Sequence, residues 1–148
     1  MVGQAPPRLR YERPTLRLEL PARPEYLPEV RQALEDLDLP RAFLEDAQLL
    51  TTELVSNSMR HAGLGPDDVI VVTVTCSEGA LRVTVEDGGT RTLPEHIVAG
   101  SIRPSPGGRS GWGLYLVDKL ATRWGTKVGG RVGFWFELEE PLPRTGTR

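Results

Sequence analysis

With a single cysteine, Cys76, the chain can form no internal disulfide, and it offers no basis for a cysteine-built zinc site. That scarcity fits a reducing compartment, and a cytoplasmic location is expected. Long hydrophobic runs are also missing. No stretch approaches the length needed to cross a bilayer, and the opening MVGQAPPRLRYERP has no apolar centre of the kind a secretory signal needs. Neither a membrane nor nucleic acid is expected as a direct partner, because a formal net charge of -2 gives no electrostatic reason for a polyanion. Internal repeats and low-complexity linkers are absent too. What is present is a chain of 148 residues, 39% hydrophobic and 26% charged, which suits one folded domain with a core of two packed layers and leaves no room for a second.

Residues 1–14, rich in proline and arginine, read as a flexible leader, residues 15–140 as one domain, and residues 141–148 as a loose tail. Within the domain, LRLEL at Leu16 to Leu20 alternates as a short strand. Apolar residues then recur at helical spacing from about Glu25 to Leu37. A second, longer helix is predicted from Arg41 to Ala62, where Gly63, Gly65 and Pro66 stop it. Two alternating segments follow, Asp68 to Cys76 and Ala80 to Glu86, joined as a hairpin. Beyond Asp87-Gly88-Gly89 a long aperiodic stretch runs to Ser110. A third helix is expected over Trp112 to Ala121, and strands over Arg123 to Val128 and Val132 to Leu138.

Three features carry chemistry. On the second helix Glu53, Asn57 and His61 stand at successive four-residue steps and so share a face, along the edge of the apolar arc of Phe43, Ala47, Leu50, Leu54 and Ala62. A carboxylate beside a core stripe needs a partner, and a metal-bound ligand would supply one; the alternative is a pair of polar side chains solvated at the margin. Asp87 closes a strand where a carboxylate can accept a hydrogen bond from an exocyclic amine, and Gly89 leaves space for a flat ring; equally, DGG can be only a turn. Finally, Gly107-Gly108-Arg109-Ser110-Gly111-Trp112-Gly113 runs straight into a helix, so successive backbone N-H groups and the helix N-terminus favour phosphate, unless the glycines serve only as a hinge. The pattern is neither a Walker loop nor a dinucleotide fingerprint.

The order of ELVSNSMRHA on a helix, DGG after a strand, then a long loop and SGWGLYLVDKLATRWG resembles the GHKL superfamily of ATP-binding domains, to which histidine kinases and gyrase B belong. Within it the chain is most similar to the small bacterial anti-sigma-factor serine kinases, over roughly Leu16 to Leu138. The resemblance implies Glu53 as general base and Asn57 as the Mg²⁺ ligand. It implies Asp87, with Gly89, as the adenine-recognising pair, and Gly111 and Gly113 as the glycines of the nucleotide lid; Gly108, Arg109, Ser110 and Leu114, in and after the same glycine-rich stretch, are further candidate nucleotide contacts. His61 falls near the phosphates. One departure stands out: many relatives carry Thr or Ser in the last strand pair, whereas Gly130-Arg131-Val132-Gly133-Phe134 offers no hydroxyl, with Thr126 the nearby candidate to replace it.

The fold so implied is an α/β (α+β) two-layer sandwich, a mixed and mostly antiparallel sheet with three helices on one face. The function implied is that of an Mg-ATP-dependent serine/threonine kinase that binds a sigma factor and phosphorylates an anti-anti-sigma-type antagonist, working as a homodimer. The rival is a nucleotide-responsive binding module without phosphotransfer, favoured by the missing hydroxyl. The catalytic domain of a split histidine kinase is a weaker third, since the sequence contains no helical dimerisation segment with a phosphoacceptor histidine.

Overall fold

The computed structural model describes residues 15–61, 64–77, 79–88, 112–127 and 131–140. The leader, the tail and the stretch 89–111 lie outside them. Strand β1 (Leu16–Pro21) is followed by a single 3-10 turn (Pro24–Tyr26), helix α1 (Leu27–Glu35) and helix α2 (Arg41–His61). Strands β2 (Val69–Ser77) and β3 (Ala80–Asp87) come next, then helix α3 (Trp112–Leu120), β4 (Arg123–Lys127) and β5 (Val132–Glu139).

The five strands form one sheet in the order β1-β2-β3-β5-β4. All four ladders are antiparallel, so the two-layer sandwich is as expected and no parallel pair occurs among the described strands. The reason is topological. β3 and β4 are both antiparallel to β5 and therefore run in the same direction, but α3 carries the chain past one strand position and β5 returns into that slot.

Alternation sorts each strand into two faces. Leu20 of β1, Ile70, Val72 and Val74 of β2, Leu81, Val83 and Val85 of β3, Trp124 of β4, and Phe134, Phe136 and Leu138 of β5 are all buried in one core. Against it lie Val30 and Leu34 of α1, Phe43, Ala47, Leu50, Leu54 and Val55 of α2, and Leu114 and Val117 of α3. α2 is the central helix: α1 packs on one side of it and α3 on the other, and α2 itself lies over β3 and β5. Gln48 Nε2 of α2 donates to the Arg31 carbonyl, 3.0 Å, fastening the first two helices together.

Two backbone positions in left-handed conformation make the tight connections. Asp38, at φ 55, ends the turn after α1, a conformation aspartate tolerates better than most side chains. Gly79, at φ 72, sits in the hairpin between Ser77 and Ala80, which face each other in the ladder.

The face of the sheet that carries no helix among the described residues is not simply solvated. Trp135 is buried there, although it points away from Phe134 and Phe136, with the Arg82 guanidinium 4.5 Å from its ring centre. Its indole crosses Gly125, where an added Cβ would come within 2.7 Å of the ring. Beside it Glu137 is fully buried, 3.8 Å from Arg82 and 3.6 Å from Arg123, and Arg123 also bonds Glu139. Burial pushes the Glu137 carboxyl above the usual range, against the pull of both arginines, and burial lowers Arg82.

Candidate functional site

Helix α2 places its polar row as the four-residue spacing requires. Phe43, Ala47, Leu50 and Leu54 are buried, and the buried arc extends to Thr51, Val55 and Ser58, so Glu53 and Asn57 lie on its border. Asn57 is 7% exposed and Glu53 is half-buried. Among the described residues no hydrogen bond reaches the Asn57 carboxamide and no ion pair reaches Glu53, although both stand at the core margin. A buried amide and a half-buried carboxylate on the same row, without a partner among the described residues, are groups that could take an outside ligand.

Asp87 is the last residue of β3 and is fully buried. Its cross-strand partners are Ile70 on β2 and Val132 on β5, so aliphatic side chains bracket it on the helix-covered face. Gly88 follows into open space, with nothing within 4 Å of where a Cβ would be. Because α2 lies over β3, the Asn57 row and the Asp87 strand belong to the same two facing layers.

On this register the strand position opposite Asp87 is Val132, and Gly133 turns to the other face. A Cβ at Gly133 would lie 2.5 Å from the Val85 carbonyl oxygen and 3.0 Å from Glu86 Cγ, so the position excludes any side chain. Above it Lys127 Nζ donates to Glu86 Oε1 at 2.8 Å, in the cross-strand row Glu86, Gly133, Lys127. Thr126 shares the helix-side face but is paired with Phe134, one strand further from Asp87 and out of line with it.

α3 begins at Trp112, and its Leu114 side chain is 2% exposed within the core, which leaves that residue's backbone for any ligand contact. His61 ends α2 and Gly113 is the second residue of α3; their side-chain surroundings, together with Gly89, Gly108, Arg109, Ser110 and Gly111, lie outside the described residues. A divalent ion here would find one oxygen ligand in Asn57, and among the described residues no group of three or more His, Cys, Asp and Glu could hold one alone. Such a donor set suits a hard ion that keeps water and phosphate oxygens as its other ligands.

Sequence reasoning missed the buried Glu137 between Arg82 and Arg123. The available signal was parity: Glu137 alternates with Phe136 and Leu138, and so shares the outer face with Trp135. It also missed the bond from Trp124 Nε1 to Asp118 Oδ1, 2.9 Å, which ties α3 to β4.

A family model described as a histidine kinase-like ATPase domain matches residues 20–131. Serine-protein kinase RsbW of Listeria monocytogenes (serotype 4a) is 37% identical over 78 residues, which are 49% of this chain and 50% of that protein. Serine-protein kinase RsbW of Listeria innocua is 36% identical over the same length. The matched segment thus spans about half the length of these relatives. Among solved structures, the RsbU and RsbW domains of Rv1364c from Mycobacterium tuberculosis superpose with a TM-score of 0.57 at 19% identity, covering 85% of this chain and 33% of that one. That likeness is one of fold. No helix among the described residues is long and apolar enough to cross a membrane.

Proposed function

From the premise that the chain belongs to the histidine kinase-like ATPase family, we propose that it binds Mg-ATP and transfers phosphate to a serine or threonine of a partner protein. The observation that carries this reading is the pair Glu53 and Asn57, one helical turn apart at the core margin and without protein partners among the described residues. Asp87 supports it from the facing layer as acceptor for the adenine amine. In this reading Asn57 Oδ1 is the protein ligand of Mg²⁺, which would supply charge neutralisation at the phosphates. Glu53 orients the attacking hydroxyl and takes its proton. The glycine-rich stretch ahead of α3, with His61 nearby, meets the phosphates, and Arg109 and Ser110 add contacts.

Following the resemblance to anti-sigma-factor kinases, the proposed partners are a sigma factor, held until release, and an anti-anti-sigma-type antagonist as phosphoacceptor, with the chain acting in the cytoplasm as a homodimer; that the relatives are named serine-protein kinases supports the phosphotransfer. Labelled Mg-ATP incubated with the purified chain and candidate antagonists tests the proposal: label is expected on a serine or threonine of one antagonist. Binding of ATP with no label on any antagonist would favour the second reading, a nucleotide-responsive binding module. The stretch Gly130 to Phe134 favours that reading, since it offers no hydroxyl to support the phosphates and the attacking water.

A further inference from the structure

The corner between α3 and β4 is fastened more heavily than its length requires. Ala121 N donates to the Val117 carbonyl, 2.9 Å, closing the last turn of the helix. Thr122 N then donates to the Glu137 carbonyl, 2.8 Å, and Glu139 N donates to Thr122 Oγ1, 3.0 Å, stitching the link to β5. Across this corner Trp124 Nε1 donates to Asp118 Oδ1, 2.9 Å. Trp124 is 4% exposed and paired with Phe136, so its indole is a fixed post in the core.

Asp118 stands in the last turn of α3, where the helix dipole disfavours a negative charge. A buried indole N-H needs some acceptor, but any carbonyl or amide would do. Asp118 supplies that acceptor from an exposed helix surface and so ties the surface to the core. Its mechanical effect follows from the dimensions of α3. Nine residues make a rod of about 13 Å packed against α2, with Leu114 and Val117 fully buried in the core among its described side chains. A roll of so short a rod about its axis moves its N-terminal amides, and the bond at its C-terminal end opposes that roll.

We infer that Asp118, acting through Trp124, is a positioning residue that fixes the roll of α3 and so aims the helix start at the phosphates of the nucleotide. The inference rests on the nucleotide reading above and adds to it a residue remote from the ligand. Its signature is selective: loss of the clamp weakens ligands that carry phosphates and spares those that carry only the base and sugar.

The test is calorimetric titration of the whole chain with Mg-ATP and with adenosine. Asp118→Ala is expected to weaken Mg-ATP by about tenfold, the worth of about one hydrogen bond to the phosphates, while adenosine changes less than about twofold. Asp118→Asn keeps the Oδ1 acceptor and is expected to restore Mg-ATP binding. Trp124→Phe removes the donor while keeping a ring in the core, and is expected to show the same selective loss, with no further loss when combined with Asp118→Ala. Equal losses for both ligands, no loss for either, or an Asp118→Asn variant as weak as Asp118→Ala would overturn the inference and leave the nucleotide site standing. Failure of the unaltered chain to bind either ligand would overturn both.

Discussion

Val132 lies directly across from Asp87 on the neighbouring strand, and with Ile70 on the other side it gives the carboxylate aliphatic flanks. Valine and threonine have nearly the same shape, so Val132→Thr adds a hydroxyl next to Asp87 with little change in volume. To raise affinity the new hydroxyl must reach the base itself, adding a hydrogen bond that exists only when the nucleotide is bound. The variant is expected to bind ATP more tightly by about three- to tenfold, the worth of one net hydrogen bond of about 0.5–1.5 kcal/mol. Titration with ATP checks it; unchanged affinity would mean that position 132 does not border the base.

The two members of the α2 row should separate cleanly under mutation. Asn57→Ala removes the oxygen ligand and is expected to abolish the magnesium-dependent part of ATP affinity while leaving the fold intact. Glu53→Ala is expected to keep ATP binding and to lose phosphotransfer by a factor of about 10² to 10⁴, the usual contribution of a general base. Binding measured with and without Mg²⁺, alongside labelling of the antagonist, distinguishes the two. If Asn57→Ala retained its magnesium response, the ion would have to be held elsewhere.

The α2 row and the strand pattern could be read from the sequence because both obey short periods. Glu53 and Asn57 fall at the border of the buried arc as four-residue spacing demands, and Phe134 and Phe136 are core because they alternate. Burial of Trp135 and Glu137 on the opposite face was not legible in the same way. It depends on Arg82 and Arg123 arriving from β3 and β4, which is a matter of strand order. The same holds for the cross-strand neighbour of Asp87. Sequence proximity drew attention to Gly133 and Thr126, whereas register alone shows that Val132 is the neighbour of Asp87. Nothing in the sequence marks Asp118; only the turn after α3 brings Trp124 beside it.

Glu137 makes a prediction about pH. Its folded pKa lies above the unfolded value, raised by burial and only partly offset by Arg82 and Arg123, with Glu139 adding to the rise. Between those two values the native state holds more protons than the unfolded chain, so the contribution to stability is full below the ordinary glutamate value of 4.5 and is lost as pH rises through the raised value. Glu137→Gln carries no such titration. Urea midpoints measured from pH 4 to 8 should therefore show the wild type losing ground to Glu137→Gln as pH rises. A difference that grows in favour of the wild type would mean that the two arginines outweigh desolvation.

Gly125 tests how tightly the outer face is filled. An alanine Cβ there would sit 2.7 to 2.8 Å from three atoms of the Trp135 indole, closer than real contacts allow. The ring cannot swing away easily, since Trp135 is 4% exposed and Arg82 lies on it. Gly125→Ala is accordingly expected to cost about 1–3 kcal/mol of stability through overpacking, in spite of alanine's lower backbone entropy in the unfolded chain. Trp135→Leu alone should also destabilise, through the lost ring contacts. Together the two should cost less than their sum, because the smaller side chain makes room for the new methyl group. Urea denaturation of the two single variants and the double variant measures the coupling. Additive losses would show that the strain at Gly125 comes from the β4 and β5 backbones instead of from the indole.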